Sequence, residues 1–337
     1  MGRGESGREQ VPGVDRRGDF GLNVLRIATR QSRLALWQAE EVARRLEARC
    51  PDLECRLVQM TTEGDRFLDA PLAAIGGKGL FVKELERSLL DGRADVAVHS
   101  MKDVTVDFPD GLHLPVIMPR ACPWDAFVDP GGRGLAELPD GTRVGSSSLR
   151  RRSQLLARFP GLEVVPVRGN VDTRLAKLDR GEVDGLVLAC AGLERLALES
   201  RITERLPEGV MLPAIGQGAM GIECRVGDER VQRVIAALAD PETTAAVRAE
   251  RAMNEVLAGG CHAPVAGFAT LRDGTLSLRG LVGSVDGAWV VRHIRSGPME
   301  EPESLGAEVA EALLRDGGRE ILASIAPEGQ DDGLPSG

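Results

Sequence analysis

Within ten residues, Asp95-Val96-Ala97-Val98-His99-Ser100-Met101-Lys102-Asp103-Val104 passes from an apolar run to a dense polar cluster. Val96 to Val98 has the unbroken apolar character of a buried strand. His99, Ser100, Lys102 and Asp103 then crowd together directly behind it. In open α/β sheets ligands sit beyond the carboxyl ends of strands, so this junction is a candidate site. An ordinary strand-to-loop transition with solvated charges would read the same from these ten residues alone. What adds weight is that the same pattern recurs along the chain.

Val24 to Thr29 reads as a strand running into Arg30-Gln31-Ser32. Ser32 is placed to cap a helix that extends to about Arg49, with Leu34, Trp37, Val42 and Leu46 on one face. Leu53 to Thr61 is a second strand. Thr62 to Gly79 is polar, then glycine-rich, and ends Gly76-Gly77-Lys78-Gly79. The glycines suggest a lid with Lys78 available to an anion; a plain flexible loop is the simpler alternative. A helix from about Leu80 to Leu90 leads back to the opening stretch. This alternation predicts a parallel α/β layout. Further on, Pro115, Pro119 and Pro123 punctuate the chain and mark a crossing between domains.

A second unit repeats the scheme. Arg143-Val144-Gly145 is a short strand, followed by Ser146-Ser147-Ser148-Leu149-Arg150-Arg151-Arg152. Serines ahead of a periodic segment mark a helix start, where free N–H groups and the dipole favour anions. Consecutive helical positions are about 100° apart, so at most two of the three arginines can face one ligand. Val164 to Val167 is the next strand. After it come Arg168, Asn170 as a helix cap, and Arg174 in the first turns. Two successive junctions rich in arginine suggest a polycarboxylate or phosphate ligand, since arginine grips carboxylates bidentately; a solvated basic turn is the alternative. Val183 to Ala189 is a further buried strand, followed by Gly192-Leu193-Glu194-Arg195. The glycine-spaced segment Leu212 to Ile222 ends like a strand, and we expect it to return to the first sheet.

The last third has a different character. Asp240-Pro241-Glu242 opens a helix with proline in its first turn, which runs to about Ala258 and stops at Gly259-Gly260. Cys261-His262-Ala263-Pro264 comes at once after it. Asp273-Gly274 and Asp286-Gly287 are the tight turns of antiparallel hairpins, and one or two helices between Ser304 and Ser324 close the domain. Cys261, just past a helix end in a glycine turn beside a histidine, is an accessible and reactive thiol on this reading; an unremarkable loop cysteine is the alternative.

The 337 residues allow two or three domains. Net charge of −9 repels nucleic acid and anionic membranes, so any basic site must be local. Aromatic content of 3%, with no tyrosine, argues against a base-stacking platform. No apolar stretch is long enough for a membrane span. The first residues lack the apolar core of a signal peptide and read as a disordered leader on a cytoplasmic protein. The six cysteines show no paired metal-ligand spacing, and Cys190 and Cys224 look like core thiols. From the residues alone, an enzyme and a non-catalytic anion-binding protein of hinged two-domain architecture both remain open. A transcriptional effector-binding module would need a helix-turn-helix segment, and none is evident.

The motifs discriminate further. Leu25-Arg26-Ile27-Ala28-Thr29-Arg30-Gln31-Ser32, Gly76-Gly77-Lys78-Gly79-Leu80-Phe81-Val82-Lys83-Glu84 and His99-Ser100-Met101-Lys102-Asp103 occur in that order. Ser147-Ser148-Leu149-Arg150-Arg151, Arg168-Gly169-Asn170-Val171, Gly216-Gln217-Gly218 and Gly259-Gly260-Cys261 come after them. From about Asn23 to Ala326 the chain resembles the porphobilinogen deaminase (hydroxymethylbilane synthase) family.

The resemblance implies a transferase of tetrapyrrole biosynthesis that links four porphobilinogen molecules, with release of ammonia, into linear hydroxymethylbilane. Cys261 matches the cysteine that carries a dipyrromethane cofactor through a thioether. Asp103 matches the catalytic carboxylate near the pyrrole nitrogens. Arg30, Arg150, Arg151, Arg168, Arg174 and Arg195 match arginines that bind acetate and propionate groups, with Ser32, Lys102 and Ser148 as further polar contacts. Lys78 lies in the lid, and Phe81 matches an apolar wall of the cleft. No metal is implied, and the partner is the small-molecule substrate, acting on a monomer.

The implied fold is α/β: two hinged, periplasmic-binding-protein-like domains plus a smaller C-terminal α/β domain with an antiparallel sheet. Onto this chain it maps as a leader at 1–22, domain 1 at 23–118 with 219–236, domain 2 at 124–212, domain 3 at 241–326 and a tail at 327–337. The chain departs from the family pattern at Ala74, Ser146 and Thr105, where relatives commonly carry lysine, threonine and proline. With Ala74, one carboxylate contact in the lid is lost.

Overall fold

The computed structural model describes residues 22–61, 82–105, 107–257 and 263–325. They form three sheets. The first has the order β2-β1-β3-β10-β4, built from β1 (Val24–Arg30), β2 (Glu54–Met60), β3 (Val96–Ser100), β4 (Leu112–Ile117) and β10 (Met220–Arg225). The second has the order β7-β6-β8-β5-β9, built from β5 (Asp125–Val128), β6 (Arg143–Gly145), β7 (Glu163–Val165), β8 (Gly185–Ala189) and β9 (Glu204–Leu206). In each, the first three strands are parallel and the fourth runs antiparallel to both neighbours. That fourth strand is also the one the chain enters after crossing between sheets: β5 comes after the crossing 118–124, and β10 after the return 212–219. The late strand therefore does rejoin the first sheet.

Helices cover the sheets for the reasons the sequence supplies. In α1 (Arg33–Glu47), Ser32 Oγ accepts from Ala35 N, and Ala39, Val42, Ala43 and Leu46 are buried against Leu25, Ile27 and Ile222. The helix stops at Glu47, two residues short of the expected end. The helix α2 (Lys83–Leu90) buries Leu85 and Leu89 on the same sheet. On the second sheet lie α3 (Leu149–Arg158), α4 (Val171–Asp179) and the short α5 (Cys190–Arg195). Ser148 and Asn170 cap α3 and α4 as their sequence positions foretell, accepting from Arg151 N and Thr173 N. The strand expected at Val164 to Val167 is shorter and earlier, at Glu163–Val165.

After α6 (Glu229–Ile235) the chain enters α7 (Pro241–Val256), where Asp240 caps and Pro241 stands in the first turn. The third sheet is an antiparallel meander of β11 (Val265–Arg272), β12 (Thr275–Gly283) and β13 (Val290–Pro298). Asp273 and Gly274, both with positive φ (49° and 74°), make the tight turn between its first two strands. Its core closes against α7, α8 (Pro302–Leu313) and α9 (Arg319–Ala323) through Met253, Leu278, Val309, Leu313 and Ile321. Among the described residues, no helix is long and apolar enough to cross a membrane.

Candidate active site

The carboxyl ends of the parallel strands of both sheets meet at one cavity. Ser100 and Lys102 line it from the end of β3, Ala189 from the end of β8, and Gln217 from the return crossing. Arg151, Arg174 and Arg195 reach it from α3, α4 and α5. The two sheets also touch around it: Arg33 on α1 pairs with Asp172 on α4 at 2.6 Å, and Arg195 lies over the Trp37 ring, 5.7 Å from its centroid.

The opening stretch divides its polar residues between two faces. Ser100 turns to the cavity and accepts from Gln38 Nε2 at 2.8 Å. His99, one residue earlier on the strand, faces the interior and bonds Glu223 Oε2 at 2.8 Å in a fully buried pair. Asp95 is structural too, holding Arg26 by its backbone N at 2.9 Å and by Nε and Nη2 at 3.0 and 2.7 Å. Behind β3, Met101–Asp103 forms one 3-10 turn closed by Val104 N to Met101 O. This turn presents Lys102 to the cavity and leaves Asp103 exposed.

That turn is held from behind. Gly216, with φ +68°, packs so closely that a Cβ there would lie 2.7 Å from Met101 Cβ and 3.3 Å from Lys102 N. Glu250 of α7 accepts from Gly216 N at 2.7 Å, Ala269 N at 2.8 Å and Arg120 Nη2 at 2.8 Å. Arg251, its neighbour, donates to the Val104 and Thr105 carbonyls at 3.2 and 2.6 Å.

Arg150 and Arg151 converge on a residue that sequence reasoning missed. Asp125, fully buried at the head of β5, accepts Arg150 Nη1 at 2.8 Å on one oxygen. On the other it accepts Arg151 Nε and Nη2 at 3.1 and 2.6 Å. Arg150 also binds Leu212 O at 2.7 Å, and Arg151 binds Val187 O at 2.9 Å. Arg152 turns away to Val164 O. Two of the three arginines thus face one centre, within the limit that helix geometry sets, but that centre is a carboxylate of the protein. Arg151 still lines the cavity, whereas Arg150 stands behind it. The signal available in the sequence was the acidic residue opening the short apolar run Ala126-Phe127-Val128.

Electrostatics mark the cavity as a place for anions. Burial pulls Lys102 down to about 8; Arg151 and Arg150 add to the effect, and Asp103 and Asp125 oppose it. Burial likewise brings Arg174 down to about 10, with Arg151 and Arg168 contributing and Asp103 opposing. Arg195 also falls to about 10 through burial. Asp125 behaves oppositely: burial would raise its pKa, but the two arginines hold it far below the usual carboxylate range. Cations outnumber carboxylates in this desolvated region, so an anionic ligand would relieve it. Gln217 lines the same cavity, and its buried Oε1 accepts no hydrogen bond from the described residues. It could take a ring N–H.

Of the other sequence candidates, Ser32 and Ser148 serve as helix caps, and Arg30 ends β1. Arg168 lies close enough to Arg174 to influence it. Lys78, Phe81, Ala74 and Cys261 lie outside the described residues, as does the proposed lid.

Comparison with known proteins finds relatives over most of the chain. A family model described as "Porphobilinogen deaminase, dipyromethane cofactor binding domain" matches residues 25–233. A second, for the C-terminal domain of porphobilinogen deaminase, matches residues 244–315. The porphobilinogen deaminase of Syntrophotalea carbinolica is 54% identical over 303 residues, covering 90% of this chain and 96% of its own. Among solved structures, the periplasmic aliphatic sulphonate binding protein SsuA from Escherichia coli covers 94% of this chain and 97% of its own, at 14% identity and TM-score 0.40. The cofactor-binding domain of the Cbl transcriptional regulator covers 67% of this chain and 92% of its own, at 15% identity and TM-score 0.41.

Proposed function

The chain belongs to the porphobilinogen deaminase family, and on that premise we propose that Asp103 and Cys261 carry its chemistry. The enzyme is a transferase of tetrapyrrole biosynthesis: it joins four porphobilinogens into hydroxymethylbilane, releasing ammonia, and uses a dipyrromethane cofactor. When bound, the cofactor supplies the free pyrrole carbon to which the first substrate is joined.

The observation that carries the site assignment is the meeting of Lys102, Arg151, Arg174 and Arg195 from both sheets beside the turn of Asp103. Every pyrrole of the substrate brings an acetate and a propionate, and these cations are arranged to bind such groups. Lys102 supplies a point charge and Arg174 a planar fork. Asp125 keeps Arg151 at the cavity wall. Loss of ammonia places positive charge on a pyrrole ring, and the Asp103 carboxylate stabilises that charge as it develops. The same carboxylate can accept the proton that leaves the ring when the new bond forms. The buried Gln217 Oε1 fits a pyrrole N–H. Cys261 lies within the stretch matched by the C-terminal family model, and α7 ends five residues before it.

The protein is read as a cytoplasmic monomer whose partner is porphobilinogen; sedimentation at working concentration checks the oligomeric state. The experiment for the whole reading is intact mass with peptide mapping, before and after incubation with porphobilinogen. Two linked pyrroles on the peptide containing Cys261, absent from Cys261→Ser, are the expected result. A Cys261→Ser protein that keeps full activity would remove the tether from the mechanism.

A further inference from the structure

Arg195 depends on a side chain carried by the other sheet. It is the last residue of the short helix α5 and reaches the cavity from there. Among the described residues its side chain makes one hydrogen bond, Nη2 to Gly218 O at 2.8 Å. A guanidinium has five N–H donors in one plane, so most of those on Arg195 are left for a ligand. A single bond also leaves that plane free to turn about the bonded nitrogen.

Trp37 is what stops it turning. The Arg195 guanidinium carbon lies over the Trp37 ring, 5.7 Å from its centroid, within the range of a cation–π contact. The ring is anchored in turn, since Trp37 packs half-buried against the core of the first sheet.

The same side of α1 follows the second sheet for a full turn. Arg33, four residues before Trp37 and so on the same helix face, pairs with Asp172 of α4 at 2.6 Å. Leu34 lines the cavity, and a Cβ on Gly192 of α5 would lie 3.7 Å from Leu34 Cδ2, an ordinary contact distance. Trp37 therefore meets Arg195 within a continuous seam between the sheets.

We propose that Trp37 is a positioning residue: its ring face sets the plane of the Arg195 guanidinium so that the unused N–H groups meet a substrate carboxylate in the cavity. This rests on the reading of Arg195 as a carboxylate ligand. Trp37 is not among the residues that line the cavity, and it acts through Arg195. The ring comes from the first sheet and the guanidinium from the second. The carboxylate site is therefore complete only while the two sheets are closed on each other.

The test is steady-state kinetics on the holoenzyme, with intact mass and Tm read on every variant, so that loss of the pyrroles or of the fold is seen separately. Trp37→Leu keeps an apolar side chain and removes the π face. Its KM for porphobilinogen should rise about three- to tenfold, the usual worth of a partly desolvated cation–π contact. Loss of ground-state binding leaves kcat within about twofold. Trp37→Phe, which keeps a ring face, should bring KM back to within about twofold of wild type. Trp37→Met is measured alongside, in case the leucine variant does not fold. In the double variant Trp37→Leu with Arg195→Gln, KM should equal that of Arg195→Gln alone, because a residue that acts through Arg195 has nothing left to position.

A wild-type KM in the folded Trp37→Leu or Trp37→Met protein would overturn the proposal. So would a Trp37→Phe protein as impaired as Trp37→Leu, which would assign the effect to bulk. Additive effects in the double variant would overturn it too, since Trp37 would then act on something other than Arg195. A wild-type KM in Arg195→Gln would instead overturn the reading of Arg195 as a carboxylate ligand, and the proposal with it.

Discussion

Asp125 offers one carboxylate oxygen to both Nε and Nη2 of Arg151, at 3.1 and 2.6 Å, in the interior of the second sheet. Its other oxygen takes Arg150. A carboxylate with two guanidiniums leaves a net positive centre behind the cavity wall. Arg151 is thereby fixed in orientation before any ligand arrives, and catalytic positioning of this kind avoids reorganisation during the reaction.

Replacing Asp125 with Asn leaves two buried guanidiniums without their charged partner. Breaking a buried ion pair from one side costs about 3–5 kcal/mol. Urea unfolding should register that loss, and KM for porphobilinogen should rise as Arg151 loosens. An Asp125→Asn variant with wild-type stability and KM would show that the arginines hold their places unaided.

Lys102 gives a pH signature with opposite signs for stability and binding. It titrates near 8 in the fold against an ordinary value of 10.5. Between those values the unfolded chain keeps a proton that the folded chain has released, so this group's contribution to stability rises with pH across the window. Below 8 the fold must hold the charge in a desolvated place, and the contribution is least favourable. Substrate binding needs the charged form, so KM should rise above about pH 8. In Lys102→Arg that rise should move to higher pH; an unchanged profile would assign it to another group.

For Asp103→Ala, the pyrroles on Cys261 should survive while kcat falls on the order of 10²- to 10³-fold, the usual cost of removing a transition-state charge partner. Intact mass and initial rates measure the two separately. Near-normal rates with the cofactor in place would exclude this carboxylate from the chemistry.

At Gly216 a methyl group meets Met101 Cβ at 2.7 Å, in a backbone conformation that L residues seldom adopt. Gly216→Ala should therefore push on the Met101–Asp103 turn. The expected outcome is a lower Tm together with a lower kcat at retained cofactor content. A fall in Tm with kcat intact would mean that the turn keeps its place by other contacts.

Local structure was legible wherever a residue acts on its near neighbours. Ser32, Ser148, Asn170 and Asp240 cap their helices because a cap needs only the next three residues. Asp273-Gly274 turns because aspartate tolerates, and glycine without a Cβ favours, a positive φ. Arg174 reaches the cavity because strand ends and helix starts share one end of a parallel sheet. Asp125 was hidden because its meaning depends on register: only the antiparallel β5–β8 pairing brings it opposite Ala189 and beneath α3. Glu250 and Arg251 were hidden because their partners, the return crossing and the Asp103 turn, lie far from them in sequence.

The placement of β10 also sets an order of assembly. All five strands of the second sheet lie between Asp125 and Leu206, so they can pair as soon as that stretch has left the ribosome. The first sheet begins more than 90 residues earlier, at Val24, yet must wait longer. Until Met220–Arg225 is synthesised, β4 has no partner in its sheet and one edge of β3 stays bare. An unpaired strand edge is a template for pairing with other chains. The nascent protein therefore carries its greatest risk of aggregation in its oldest part, and that risk ends only after the second sheet has been made.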